Sequence, residues 1–205
     1  MTAVKPKHTP APAPVVVDFS VADLRYRLHD VLSVYVAAMD YPRGTENHRA
    51  PMWTEHTTRV GWQAVAALLP DDSGHVDLRT SPIVAIAYGY RGAPHQWWHQ
   101  QVHTGLRRSG RPEQATRELL ADYFELTELH VHPSAQGAGL GAILLHRLLE
   151  NRPEAAVLLS TPEVSGEDNR AWRLYRRVGF DDVIRNFVFA GDTRPFAILG
   201  RRLPL

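Results

Sequence analysis

Phe124-Glu125-Leu126-Thr127-Glu128-Leu129-His130-Val131-His132-Pro133-Ser134-Ala135-Gln136-Gly137-Ala138-Gly139-Leu140-Gly141-Ala142-Ile143-Leu144 joins two hydrophobic periodicities. From Phe124 to Val131 apolar and polar residues alternate, as they do in a half-buried strand, and His132-Pro133-Ser134 breaks the pattern. From Leu140 onward, Ile143, Leu144, Leu148 and Leu149 recur at helical spacing to about Glu150, where Asn151-Arg152-Pro153 ends the helix. Between the two runs, Gln136 to Gly141 carries three glycines at alternate positions. Glycine has no Cβ and enters backbone conformations closed to other residues, so such a turn presents bare N–H groups to an anion. The positive end of the following helix dipole points at the same place. The unit of strand, loop, glycine turn and helix reads as a pyrophosphate-sized site.

Two phosphate-binding motifs compete for this turn. A P-loop requires Lys followed by Ser or Thr after its last glycine, and Ala142-Ile143 stands there instead. Gly137-x-Gly139-x-x-Ala142 satisfies the loose dinucleotide fingerprint, but a Rossmann unit runs its strand almost directly into the first glycine and ends its next strand in a carboxylate. Here five residues, His132 to Gln136, intervene, and the next apolar run, Ala156 to Ser160, ends in no acidic residue.

The segment resembles the acetyl-CoA motif of the GNAT acetyltransferase superfamily, which pairs an L-x-V strand end and a proline with Q/R-x-x-G-x-G/A. The chain reads Leu129-x-Val131-x-Pro133-x-x-Gln136-x-x-Gly139-x-Gly141. A second family block, N-x-x-A-x-x-L-Y-x-x-x-G-F, is matched by Asp168-Asn169-Arg170-Ala171-Trp172-Arg173-Leu174-Tyr175-Arg176-Arg177-Val178-Gly179-Phe180. The family's asparagine position is held by Asp168, with Asn169 one step later, so either is a candidate cofactor contact. The resemblance implies an α/β fold with a mixed, largely antiparallel and twisted central sheet flanked by helices. It also implies acetyl-CoA as cosubstrate, held by Leu129, His130, Val131, Gln136, Gly137, Ala138, Gly139, Leu140, Gly141 and Ala142 with Asp168 or Asn169. Gln136, in a slot where Arg is common, either orders the loop or touches a phosphate as a neutral donor.

Composition agrees. The 205 residues suit one domain, here expected over 15–205 after a proline-rich arm at 1–14, and 44% hydrophobic with 22% charged residues is ordinary for a globular chain. Lys plus Arg number 23 against 22 Asp plus Glu, and a net charge of +1 gives no global field to attract nucleic acid or a membrane. Zero cysteines exclude disulfides, thiolate metal sites and an acyl-cysteine intermediate. No signal-peptide pattern or bilayer-length apolar run is present, so a cytoplasmic protein is expected. Oligomeric state, monomer or homodimer, is not legible.

Along the chain, Val15 to Phe19 reads as a strand. Ser20 or Asp23 is placed to cap a helix through Met39, and a second helix is expected within Met52 to Val60. Trp62 to Leu69 reads as a strand, although its alanines also suit a helix, and Ile83 to Tyr90 reads as a strand. Helices are expected at 97–106 and 113–121, and closing strands at 182–189 and 196–200.

Acetyl transfer from a thioester to an amine needs a deprotonated amine, a polarised carbonyl and a protonated leaving thiolate. Glu125 and Glu128 are the candidate bases, because a carboxylate buried on the motif strand has its pKa raised to a useful value; the alternative for each is a solvated strand position. Tyr175 is the candidate acid, by its place in the second block, against the commoner role of a packed aromatic. Backbone amides at Leu129 to Val131 would polarise the carbonyl. His95, His99 and His103, four apart, would form a helical stripe, and His130 with His132 would share a strand face; neither set has a completing ligand, so no metal is expected. Trp97 and Trp98 would wall an acceptor pocket or cap the core. The expected activity is acetyl-CoA-dependent N-acetyl transfer to a protein lysine, a protein N-terminus or a small amine. The alternative is a non-catalytic acetyl-CoA sensor or interaction module.

Overall fold

A computed structural model describes residues 13–205. Most of the arm expected at 1–14 therefore lies outside the described residues. The elements are β1 (Val15–Phe19), α1 (Val21–Tyr26), α2 (Leu28–Met39), α3 (Thr45–His56), β2 (Gln63–Leu68), β3 (Ile83–Arg91), α4 (Trp97–Arg108), α5 (Glu113–Ala121), β4 (Tyr123–Val131), α6 (Leu140–Leu149), β5 (Ala156–Pro162), α7 (Arg170–Val178), β6 (Asp181–Phe187) and β7 (Phe196–Arg202). The seven strands form one sheet in the order β1-β2-β3-β4-β5-β7-β6. Only β4 and β5 run parallel; they are joined by the crossover helix α6, as parallel neighbours require.

Strand parity sorts the core into two faces. Val65, Ala67, Ala85, Ala87, Phe124 and Leu126 pack with α6 and α7 on one face. Ala64, Ala66, Leu68, Ile86, Tyr88 and Tyr90 pack with α1 to α3 on the other. Over the β5–β7 end, Leu158 and Ile198 pack with Trp98, Val102 and Leu106 of α4 and Leu120 of α5. β2, ambiguous by its alanines, is a strand because both of its faces are covered and small side chains let helices approach on each side.

Two helices depart furthest from the sequence reading. Ser20 caps a helix with a capping box to Asp23, but that helix breaks at Arg27 (φ −102°, ψ 21°) into α1 and α2. The break turns Arg27 inward, where its guanidinium donates to the carbonyls of Leu78 (2.8 Å) and Ser81 (3.0 Å) and pairs with Asp30. The second helix, α3, starts at Thr45 and runs through Pro51. Proline there forfeits one backbone bond, and the burial of Trp53 and His56 beneath the helix overrides that loss. Its far end stops at His56, with the hydroxyls of Thr57 and Thr58 bonded to the carbonyls of Thr54 and Glu55. The turn that follows carries Arg59 into the cleft described below.

The β3–β4 ladder positions the site. Tyr90 pairs with Glu125 and Gly89 with Leu126, but Tyr88 pairs with Glu128, leaving Thr127 as an extra residue on β4. Such a bulge inverts side-chain parity beyond it. The half-buried alternation expected for β4 is thereby corrected: Tyr123 to Leu126 are all buried, and Glu125, Glu128 and His130 share the face of Tyr90, Tyr88 and Ile86.

Candidate active site

β4 pairs with β5 only from Tyr123 to Glu125, and beyond that point the two parallel strands separate. Leu126 to Val131 thus keep a backbone edge that no β5 residue covers, and this edge opens into a cleft of about 1210 Å³. On one side of β4 the cleft is walled by the glycine turn, α6 and α7; on the other it is walled by residues of α2, α3 and the segment before β7.

On the first side, Gly137 (φ 90°) and Gly139 (φ 78°) both have left-handed backbone, and a Cβ at either would meet nothing within 4 Å. Glycine is needed at both for conformation, and the space above them is open. Gly139 caps α6 with no side chain involved. Among the described residues the N–H groups of Gly137 to Gly141 donate to no protein acceptor, so five consecutive donors stand at the positive end of α6. Gly141 has a different role, because a Cβ there would lie 3.2 Å from Leu174 and 3.7 Å from Leu129. It lets α6 pack closely on β4 and α7. Gln136 braces the turn: its amide donates to the Val131 carbonyl (2.9 Å), and its oxygen accepts from Arg170 (2.6 Å). Of its two expected roles, ordering the loop is the one its bonds perform.

Asn169 caps α7 by accepting from the Trp172 N–H (2.8 Å) and lines the cleft. Asp168 is exposed, pairs with Arg173 and does not line it. Ala138 is exposed as well and does not line it, whereas Leu129, His130, Val131, Gln136, Gly137, Gly139, Leu140, Gly141 and Ala142 do.

The titratable groups gather on the β4 face across from α3. Glu125 is buried; its Oε1 accepts from the Tyr90 hydroxyl (3.0 Å), while its Oε2 has no partner among the described residues. Burial pushes its pKa up to about 7, against the opposing hydrogen bond from Tyr90 and the positive charge of Arg59. Glu128 lines the same cleft but is engaged, its Oε2 lying 2.5 Å from Nε2 of His130. His130 in turn meets the Tyr35 ring edge-on, with centroids 4.9 Å apart. Tyr175 is buried against Phe180 and lines the cleft, and its hydroxyl makes no hydrogen bond among the described residues. Burial, followed by the negative charge of Glu128, holds its phenol above its ordinary pKa and therefore protonated.

The wall facing β4 carries functional side chains that no local sequence pattern singles out. Arg59 donates to the Tyr90 hydroxyl (2.5 Å) and forks onto Glu55 (3.0 and 3.3 Å). His56 contacts the Tyr88 hydroxyl (3.0 Å), and burial pushes its pKa down to about 4. Alternating tyrosines on β3 and the Glu55/Arg59 pair at helical spacing were the available signals, but only the fold shows that they converge on Glu125. Arg194, paired with Asp192 and donating to the Tyr41 hydroxyl (3.1 Å), lines the outer rim.

Of the expected histidine stripe, only His99 and His103 stack on one face of α4. His95 precedes α4, His99 is buried beside the Tyr123 hydroxyl (3.1 Å), and His103 lies parallel to His99 at 6.4 Å. His132 bonds to Ser134 in the turn after β4, away from the Glu128 pair of His130. Among the described residues no group of three or more His, Cys, Asp or Glu is placed to hold a metal ion. Trp98 enters the core with its indole nitrogen on Ser160 (3.3 Å), whereas Trp97 is half exposed and stacks on Phe189 at the cleft rim. No helix among the described residues is long and apolar enough to cross a membrane.

Residues 100–182 match the model of the acetyltransferase (GNAT) domain. The chain is 57% identical over 204 residues to the GCN5-like protein acetyltransferase Rv2170 of Mycobacterium tuberculosis, covering 92% of this chain and 98% of that protein. Arabidopsis thaliana NAA60, solved with a bisubstrate analogue, superposes with a TM-score of 0.57 at 12% identity, covering 94% of this chain and 100% of that one. The PaiA N-acetyltransferase of Thermoplasma acidophilum, solved with coenzyme A, gives 0.55 at 10% identity, covering 94% and 100%. These two likenesses speak for the fold alone. The splayed β4–β5 pair, the glycine turn heading α6 and a near full-length relative at this identity agree: the chain belongs to the GNAT superfamily of acetyltransferases.

Proposed function

We propose that the protein transfers the acetyl group of acetyl-CoA to a primary amine, with Glu125 as general base and Tyr175 as general acid. One observation carries this reading. Glu125 is a buried carboxyl with its pKa pushed up to about 7, on the floor of a cleft; among the described residues one of its oxygens has no partner, and the five backbone donors at the other arm of the cleft have none either. The donors of Gly137 to Gly141 fit a pyrophosphate, and the uncovered edge of β4 from Leu126 to Val131 fits the amide-bearing pantetheine arm. Coenzyme A or a bisubstrate analogue is named for the structures of PaiA and NAA60, which supports the same occupant here.

In the reaction the amine nitrogen bonds to the thioester carbonyl carbon and the carbon–sulfur bond breaks. The proton lost from the amine passes to Glu125, directly or through a water at Oε2. Tyr175 gives its proton to the departing sulfur. A base with a pKa near 7 is half ionised at neutral pH, which suits it to accept and then release that proton. Glu128 is the second choice because His130 already occupies one of its oxygens.

The acceptor we favour is a protein amine. The Mycobacterium tuberculosis relative is named a protein acetyltransferase, and the acceptor arm is walled by Tyr35, Met39, Met52, Tyr90 and Trp97, which suit the aliphatic stem of a lysine. Incubation with acetyl-CoA and a thiol-detecting reagent, across lysine peptides, N-terminal peptides and small amines, tests this reading. Coenzyme A release with peptides supports it. Release with small amines alone moves the acceptor to that class, and tight acetyl-CoA binding without turnover of any amine supports the sensor.

A further inference from the structure

Glu125 does not stand alone. Arg59 follows α3 in a turn fixed to β3 by the Arg91 N–H donating to the Val60 carbonyl (2.9 Å). Its guanidinium is anchored at one end on both oxygens of Glu55 and lies over the Tyr90 ring, 4.5 Å from the centroid. Its remaining nitrogen, Nη1, donates to the Tyr90 hydroxyl oxygen (2.5 Å). Arginine has no acceptor and stays protonated, so this bond has only one possible direction. The tyrosine has a single proton, and the bond that remains to be made is to Oε1 of Glu125 (3.0 Å). The chain of donors therefore runs from Arg59 through Tyr90 to Glu125 and stops there, leaving Oε2 as the oxygen with no partner among the described residues.

We propose that Arg59 and Tyr90 are positioning residues for the base: they fix the rotation of the Glu125 carboxyl, occupy Oε1, and so present Oε2 as the one oxygen that receives the acceptor's proton. This rests on the reading of Glu125 as base. Neither residue gains or loses a proton in the reaction. An isolated carboxyl at this depth would be protonated and inert at neutral pH, and the two donors offset part of that desolvation. The other charged or titratable groups around Glu125 are Tyr88 of β3, Glu55 and His56 of α3, and Tyr123 and Glu128 of its own strand. Among the described residues none of these hydrogen-bonds to the Glu125 carboxyl, so none replaces the Tyr90 bond.

The test is the pH profile of kcat/KM for wild type, Glu125→Gln, Tyr90→Phe and Arg59→Met, with acetyl-CoA affinity measured by calorimetry. Removing either donor disfavours the carboxylate, so the acid limb of Tyr90→Phe and of Arg59→Met moves to higher pH by about one unit. Activity recovers at alkaline pH and cofactor affinity stays unchanged. A merely structural role would lower the rate at every pH without moving the limb. A near-neutral acid limb that is lost in Glu125→Gln, leaving only the alkaline rise from free amine, but that stays in place in both other variants overturns the positioning role and leaves the base intact. A near-neutral acid limb retained at its wild-type midpoint in Glu125→Gln removes the base and the inference with it. Should Tyr90→Phe not fold, a carbon-13 NMR titration of the Glu125 carboxyl in wild type and Arg59→Met gives the answer without turnover. A higher midpoint in Arg59→Met supports the proposal, and an identical midpoint overturns it.

Discussion

Glu125 and Glu128 stand three positions apart on one strand yet face the same side of the sheet, because Thr127 is an extra residue between their partners Tyr90 and Tyr88. Regular pleating would send them to opposite faces. The bulge gives the site two carboxyls in unlike environments. Glu128 is engaged by His130, and Glu125 is buried with a free oxygen, and this contrast separates their expected roles.

Glu125→Gln should lower turnover about 10²-fold near neutral pH, with the deficit shrinking as alkaline pH supplies free amine unaided. Glu128→Gln should lose less than about tenfold and keep the shape of the wild-type profile. Steady-state rates across a pH series compare the two, and a larger, pH-sensitive loss at Glu128 would reverse the assignment.

Tyr175→Phe keeps the ring packed on Phe180 and removes only the hydroxyl, which has no hydrogen-bond partner among the described residues. Turnover should fall about 10²-fold or more, with acetyl-CoA affinity and thermal stability near wild type. Undiminished kcat would leave Tyr175 as a core residue only.

The glycines of the turn should divide by mechanism. Gly139→Val puts a branched side chain at φ 78° and into the open space before α6, so cofactor binding by calorimetry should be lost while most of the fold remains. Gly141→Val presses on Leu174 and Leu129 instead, so its first symptom should be a lowered melting temperature.

His56 should make stability sensitive to acid. Its folded pKa near 4 lies below the ordinary 6.5, so the unfolded chain binds the proton first as pH falls. Its contribution to stability is therefore fully present above about pH 6.5 and is lost between there and pH 4, opposite in sign to that of Glu125, whose raised pKa favours the folded state as pH falls. The full loss is on the order of 3 kcal/mol at about 1.4 kcal/mol per unit. Urea denaturation of wild type and His56→Gln over that range checks it, since the stability difference between the two should shift in the variant's favour by about that amount as pH falls from 6.5 to 4.

Much of the molecule was legible because it rests on local rules. The glycine spacing of Gly137 and Gly139, the apolar period of α6 and the cap at Ser20 act within a few residues, and each is read directly from the chain. The helix boundaries that differed, at Arg27 and across Pro51, are places where burial of Arg27, Trp53 and His56 overrides local preference.

By itself the sequence determined the strand, glycine turn and helix, the second block ending in Gly179-Phe180, and so the family and the cofactor arm of the cleft. The tertiary structure alone decided which residues meet Glu125. Arg59 and Tyr90 reach it from segments distant in sequence, and their approach depends on how α3 packs over β3 and on one extra residue at Thr127. Backbone conformation follows from neighbours along the chain, whereas the environment of a buried carboxyl is set by whatever the fold brings across the sheet, and no spacing in the sequence encodes that.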